Sequence, residues 1–255
     1  MARTREGQLL TELYRRQQIS LRATWMRDVV AFYRMWELKD PASYAAMERA
    51  LIIVARDGGM QAAALAANYY EAFRAFEVPT ARLISIPLAA PPPDEQIRAA
   101  IAATAKHGVL RGLQAGQPYE QAMANGLVEV SGAVTRLALN TGRETIQQGV
   151  KRDPEARGWS RVTSGDACAF CAMLASRGPV YKEDTVDFEA HDHCSCASEP
   201  FYSGSNWPPE SMAYRELWEE TGSLNSFRTE LRNQRAGTAP GTGGSSKPDM
   251  GSTQK

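Results

Sequence analysis

The chain has 255 residues, 43% of them hydrophobic, and its 29 Lys and Arg balance 29 Asp and Glu. That length suits one large domain or two modest ones with an ordinary core, and the neutral balance leaves no global field to hold the chain on nucleic acid. The opening MARTREGQLLTELYRRQQ lacks the apolar run of a secretory signal, and no stretch approaches the roughly 18 apolar residues of a membrane span, so we expect a protein folded in a cytoplasm.

Charge is uneven along the chain: residues 1–39 carry eight basic against four acidic residues, and 183–220 carry ten acids against Arg215 alone. Two solvated faces of unequal charge account for this most simply. In the first third, Leu10, Tyr14, Leu21, Trp25, Val29, Phe32 and Trp36 recur mostly at three- to four-residue steps with arginines between them, which predicts an amphipathic helix. Asp40-Pro41 then supplies an N-cap and a proline at the first helical position, opening a second helix that the pair Gly58-Gly59 is expected to stop. A third helix over about 60–77 would carry Leu65, Tyr69, Phe73 and Phe76 as core packing. Residues 1–77 thus form a helical region, suited to a core or to docking on a partner.

Five prolines across 78–93 predict a linker or an extended arm. Asp94 should cap the next helical run, and a long helix follows Pro118 to about residue 150, with Leu127, Val130, Val134, Leu137, Leu139 and Ile146 on its apolar stripe. Gly126, Gly132 and Gly142 weaken that helix by up to about 1 kcal/mol each and would allow a kink. His107 has no ligand partner at helical spacing and reads as structural or exposed. After Gly158, WSRV reads as a short strand and Ser164-Gly165-Asp166 as a turn. Residues 205–235 read as a C-terminal helix or helix pair, and 236–255 have almost nothing to bury and are expected to be disordered.

All four cysteines and two of the three histidines fall between Cys168 and Cys196. The spacing is Cys168-x2-Cys171, then His191-Asp-His193-Cys194-Ser-Cys196. A C-x2-C pair on a tight turn sets two thiolates at about the separation a tetrahedral Zn²⁺ needs, and a distant second pair closes the site. In a reducing compartment a metal site is favoured over disulfides. The second half offers four donors for two places. If the chain there is extended, Cys194 and Cys196 share one face and His191 and His193 the other, which favours four thiolates. A turn through Asp192 would instead bring His191 to three cysteines, with Asp192 or Asp166 as outer acceptors. The intervening residues suggest a helical turn, a bend at Arg177-Gly178-Pro179 and a strand at Val180-Tyr181. In so small a segment the metal would supply much of the folding free energy.

Reactive alternatives fit less well. A thioredoxin-like pair needs a βαβ unit, and zinc deaminases need H-x-E ahead of the cysteines; neither pattern occurs. A Cys/His nucleophilic pair needs fewer thiols than are clustered here, and an HNH-like nuclease using Asp192-His193 lacks a further histidine downstream. A DNA-binding zinc module is opposed by the acidic surroundings.

C-x2-C followed by H-x2-C-x-C, preceded by a long helix and a tryptophan-bearing strand and closing near Pro200, resembles the phage Mu F-like minor head protein family, also called head morphogenesis proteins. The matching stretch runs from about Leu137 to Pro200, a quarter of the chain. Carried over by position, the family's motif falls on Cys168, Cys171, His191, Cys194 and Cys196, and His193 sits where the family commonly has another residue. The wording GDACAFCAMLASRGPVY is most similar to versions from tailed phages of actinobacteria. The resemblance implies a virion-associated protein of the phage head, assembled in the bacterial cytoplasm, with portal, major capsid and scaffold proteins as partners. No membrane partner and no small-molecule substrate are expected.

The sequence therefore predicts an α+β chain: helical N-terminal and central regions with a small β-containing zinc knuckle. The divisions are 1–77, the linker 78–93, a Mu F-like domain 94–204 (helices 94–150, knuckle 159–200), a helical segment 205–235 and a tail 236–255. The expected role is a minor capsid or head morphogenesis protein with a structural Zn²⁺ and no catalytic residues. A cysteine-dependent capsid maturation protease or an HNH-like nuclease is the alternative.

Overall fold

The computed structural model describes residues 2, 4–163, 167–179, 188 and 190–237. Among these, the chain is α+β, as the sequence predicts: helices dominate, with one two-stranded antiparallel sheet. Helix α1 (Arg5–Tyr33) is capped by Thr4, whose hydroxyl accepts from the Gly7 amide. The same threonine donates its amide and hydroxyl to Glu77, at 3.0 and 2.6 Å, tying the start of α1 to the end of α2 (Pro41–Glu77). The predicted stripe of α1 is the buried one, with Tyr14, Trp25 and Val29 in the core and Leu10, Leu21 and Phe32 half-buried.

Asp40 caps α2 through the amides of Ala42 and Ser43, as its sequence suggests, but the helix does not stop at Gly58-Gly59. It runs on to Glu77, so the expected second and third helices are one. The reason is packing between elements distant in sequence. A Cβ on Gly58 would lie 3.0 Å from the Trp25 ring and 3.1 Å from Ala138, and one on Gly59 would lie 2.9 Å from Thr141. The glycines mark where α1 and α5 (Tyr119–Arg152) press against α2, and that burial outweighs their poor helix propensity. Tyr69 and Phe73 are buried as expected, whereas Phe76 is half exposed and Arg74 and Glu77 take the inward positions. A window of α2 is apolar and long enough to cross a bilayer by composition, which sequence inspection did not anticipate. In the fold, 56% of that window is buried against the other helices.

The proline-rich segment after α2 lies along α5: the Ala89 amide donates to Thr145 Oγ1, and Ile86 is buried near Gly149 and Tyr70. Helix α3 (Asp94–Ile101) starts after Pro93, so Asp94 occupies its first turn and is not the cap. A π-helical turn, Ala102–Lys106, joins it to α4 (His107–Gln114), and His107 is exposed. Helix α5 passes Gly126, Gly132 and Gly142 without a break. Its upper half shares a core with α1, α2, α3 and α4. Its lower half, with Ile146 and Val150, shares a second core with Tyr14, Tyr70, Phe73, Trp159, Tyr202 and three of the cysteines.

Strand β1 (Ala156–Val162) pairs antiparallel with β2 (Ala197–Tyr202), from Ala156↔Tyr202 to Val162↔Ala197, with an irregularity between Ala156 and Gly158. The short α6 (Ala169–Ala175) follows β1, and Gly178 makes the predicted bend with a φ of +68°. Val180, Tyr181 and Asp166 lie outside the described residues, as does the tail beyond Gly237. Helices α7 (Pro209–Thr221) and α8 (Leu224–Gly237) form the predicted pair and enclose a third core with α6. At the base of α5, Asp153 accepts from Arg74, Tyr70 and Tyr202, joining α2, α5 and β2.

Candidate metal centre

Three short pieces bring the sulfur and imidazole groups together. Cys168 caps α6, Cys171 lies in its first turn, and residues 190–196 lead into β2. That last piece is not flat. The Cys194 amide donates to the His191 carbonyl at 3.2 Å, closing a turn over Asp192 and His193, and His193 has a φ of +65°. The turn is the conformation that the sequence reading linked to a histidine ligand, and it places His191 Nε2 2.9 Å from Cys168 Sγ and 3.3 Å from Cys171 Sγ. Cys171 and Cys194 sulfurs are 3.6 Å apart.

The donors form two triads, Cys168–Cys171–His191 and Cys171–Cys194–Cys196, the atoms of each lying within 4.8 Å of one another. Cys171 belongs to both. A tetrahedral ion bound at usual Zn–S and Zn–N lengths separates its donors by roughly 3.5–3.8 Å; the Cys171–Cys194 pair has that spacing, and His191 sits closer than that to Cys168 and Cys171. All four cysteines are unpaired as disulfides, and Cys171, Cys194 and Cys196 are buried while Cys168 is exposed. The cluster can therefore hold a metal ion, and it offers five donors to do so. His191 Nδ1 lies 2.6 Å from the Asp192 carbonyl, a bond that fixes the ring and leaves Nε2 toward the sulfurs. His193 points elsewhere: its Nδ1 is 3.1 Å from Arg22 Nη2, and its ring sits where a Cβ on Gly132 would be. The absence of a side chain at Gly132 is what lets the 192–193 turn approach α5.

Sequence inspection missed the arginines around this turn. Arg22 of α1 donates to the His193 carbonyl, Arg136 of α5 pairs with Asp192 at 2.6 Å, and Arg161 of β1 reaches within 4.0 Å of Cys171 Sγ. Arg143 of α5 is 1% exposed and donates to the carbonyls of Cys194 and Cys196 and to Asn140. Both Arg143 and Arg161 stack on the Phe188 ring, their guanidinium carbons 4.7 and 3.7 Å from its centroid. One signal was legible: Arg143 interrupts the apolar stripe Leu139, Ile146, Val150 at helical steps, a place where an arginine must be buried.

Electrostatics follow. Hydrogen bonds from Cys171 and Cys196 hold the Cys194 thiol well below its ordinary value, against burial and with help from Arg143. Its hydrogen bonds to Cys194 and Cys196, then burial, push Cys171 up. Burial lowers Arg143, opposed by Cys194 and Cys196. Against its hydrogen bond with Cys171, the hydrogen bond with Cys194 and burial push Cys196 up to about 11. Negative charge is thus favoured on the Cys194 sulfur in particular, in the form that ligates metals.

A family model described as VG15 protein matches residues 8–221. The chain belongs to that family. The match takes in α1 and α2, well beyond the stretch from Leu137 to Pro200 that carried the motif resemblance. The chain is 32% identical to the gene 15 protein of Mycobacterium phage D29, with 35% of this chain and 49% of that protein covered. It is 34% identical to the gene 15 protein of Mycobacterium phage L5, with 39% of this chain and 35% of that protein covered. The similarity spans about half or less of these curated relatives. No solved structure matches the chain. The comparisons make this member of the VG15 family a phage protein, which is coarser than the Mu F-like assignment.

Proposed function

We propose that this protein is a minor capsid or head morphogenesis protein of a tailed phage, made in the host cytoplasm and acting near the portal during prohead assembly. Its Cys/His cluster binds one structural Zn²⁺. The observation that carries the metal reading is the convergence of five soft donors from α6 and the 190–196 turn against α5. Soft thiolates with imidazole in a compact, partly buried site suit Zn²⁺. The role in the head is supported by the motif's likeness to Mu F-like proteins, and the phage origin by the mycobacteriophage relatives. Portal, major capsid and scaffold proteins are the partners it implies.

Within this reading the described residues have separate tasks. Cys171 is the shared buried donor, Cys168 and His191 close the outer side, and Cys194 with Cys196 close the side facing α5. Held together, they fasten α6 and the start of β2 to the helical core. The test is zinc content of the full chain purified without chelator, with co-purification against a portal protein. About one zinc per chain and a retained portal support the proposal. Metal-free protein removes the zinc, and a portal that never co-purifies removes the head role.

One observation favours a second reading. Cys168 is exposed and its sulfur lies 2.9 Å from His191 Nε2, with Nδ1 anchored on a carbonyl, an arrangement that also suits a thiolate nucleophile and its base. A cysteine-dependent maturation protease would lose cleavage of a capsid protein in Cys168→Ser. An unchanged cleavage pattern in that variant ends this reading.

A further inference from the structure

Arg143 poses a problem that the rest of the fold does not share. The other fully enclosed arginine of the helical core, Arg74, has its guanidinium matched by the carboxylate of Asp153 at 2.8 Å. Arg143 is as deeply buried, yet among the described residues its hydrogen-bond partners are neutral: the Cys194 carbonyl at 3.0 Å, the Cys196 carbonyl at 3.1 and 3.0 Å, and Asn140 Oδ1 at 2.7 Å. A buried charge without a counter-charge is strongly unfavourable. Arg161, also buried, lies over the Phe188 ring as Arg143 does, and close to Cys171.

Geometry shows where the missing negative charge would be. In an extended stretch the carbonyls of residues i and i+2 point the same way, and so do their side chains. A planar guanidinium spanning the Cys194 and Cys196 carbonyls therefore fixes the relative register of those two cysteines. A divalent ion bound by three or four thiolates carries a net charge of −1 or −2, beside the same two residues. We propose that Arg143 is the counter-ion and positioning residue of the metal centre, balancing the charge of its thiolates while its fork holds Cys194 and Cys196 in register. This rests on reading the cluster as a metal site.

The test compares wild-type, Arg143→Met and Arg143→Lys full-length chains in a zinc competition against a chromophoric chelator, with thermal unfolding of each protein in excess zinc and in excess chelator. Loss of an outer partner of this kind weakens metal binding by about 10- to 100-fold. We expect that loss in Arg143→Met and a smaller one in Arg143→Lys, which keeps the charge but cannot bridge two carbonyls. The rise in unfolding temperature on adding zinc should shrink in Arg143→Met, while its chelated form unfolds no earlier than chelated wild type. A merely structural arginine would lower both forms equally and leave the zinc-induced rise unmoved, which overturns the proposal, as does wild-type affinity in Arg143→Met. Should Arg143→Met fail to fold, Arg143→Lys decides on the same two readouts. A wild-type chain that binds no zinc overturns the metal reading itself, and this inference with it, whereas a zinc-binding wild type with unaffected variants overturns the role of Arg143 alone.

Discussion

Replacing Asp153 by alanine probes the junction that carries the cysteine-bearing segment on the helices. Asp153 is fully buried and accepts from Arg74 Nε at 2.8 Å and Nη2 at 3.2 Å, from Tyr70 at 3.1 Å, from Tyr202 at 3.2 Å and from the Glu155 amide at 3.0 Å. Without it, Arg74 keeps the Arg82 carbonyl but loses its counter-charge, and two buried hydroxyls lose their acceptor. Removing one partner of a buried ion pair costs about 3–5 kcal/mol. Against a total stability of about 5–15 kcal/mol, that is a fifth or more of the fold. Urea unfolding of Asp153→Ala should show a much lower midpoint at an unchanged slope. Arg74→Met added to Asp153→Ala should cost less than the two single changes summed, because the uncompensated cation goes with its partner. A loss below about 1 kcal/mol in Asp153→Ala, or strict additivity in the double variant, would refute the reasoning. The pH dependence has a definite sign. Burial raises the Asp153 pKa, but the Arg74 and Glu155 hydrogen bonds and the Arg74 charge outweigh it, so the folded value lies below the ordinary one. Its contribution is therefore full above the unfolded carboxylate pKa of about 4 and is lost as pH falls through the folded value. The gap between wild type and Asp153→Ala should narrow only in that acid range.

Gly132→Ala should loosen the metal turn, because the added Cβ would lie 2.7 Å from His193 Nε2 and 2.9 Å from Asp192 Cβ; zinc affinity measured by chelator competition should fall, and wild-type affinity would refute the close approach. Gly142→Ala places a methyl 2.8 Å from the Ala62 carbonyl oxygen, and a backbone neighbour cannot swing away. Overpacking of this kind costs about 1–3 kcal/mol against about 1 kcal/mol gained in helix propensity, so thermal unfolding should come earlier, and a stabilised variant would contradict the packing. His193→Gly should leave zinc content unchanged and relieve the backbone at φ +65°; loss of zinc would make His193 a ligand.

The elements of this fold were legible wherever local signals decide them. Asp40-Pro41 opens α2, the step from Leu10 to Val29 marks the buried face of α1, and the cysteine spacing names the five donors that meet. What the sequence hid depends on partners far along the chain. Gly58-Gly59 reads as a stop because propensity is local, yet Trp25, Ala138 and Thr141 hold the helix through it. The choice between a flat strand and a turn at Asp192 was likewise open, because it depends on Arg22, Arg136 and Arg143 reaching the turn from two helices. Spacing can assemble ligands, but the charge that surrounds them comes from tertiary structure.

Gly132, Arg136, Asn140 and Arg143 sit four, four and three residues apart, so they fall on one side of α5 over about three turns, roughly 16 Å. Three of those side chains and one missing side chain form the seat for a single turn of chain. A residue inserted between Gly132 and Arg143 would rotate one end of the seat against the other by about 100°. Such an insertion could leave the helix, its composition and all five donors intact, and still put the arginine fork out of phase with the turn it grips. For this protein the length of α5 between those points is as much a part of the candidate metal centre as any cysteine.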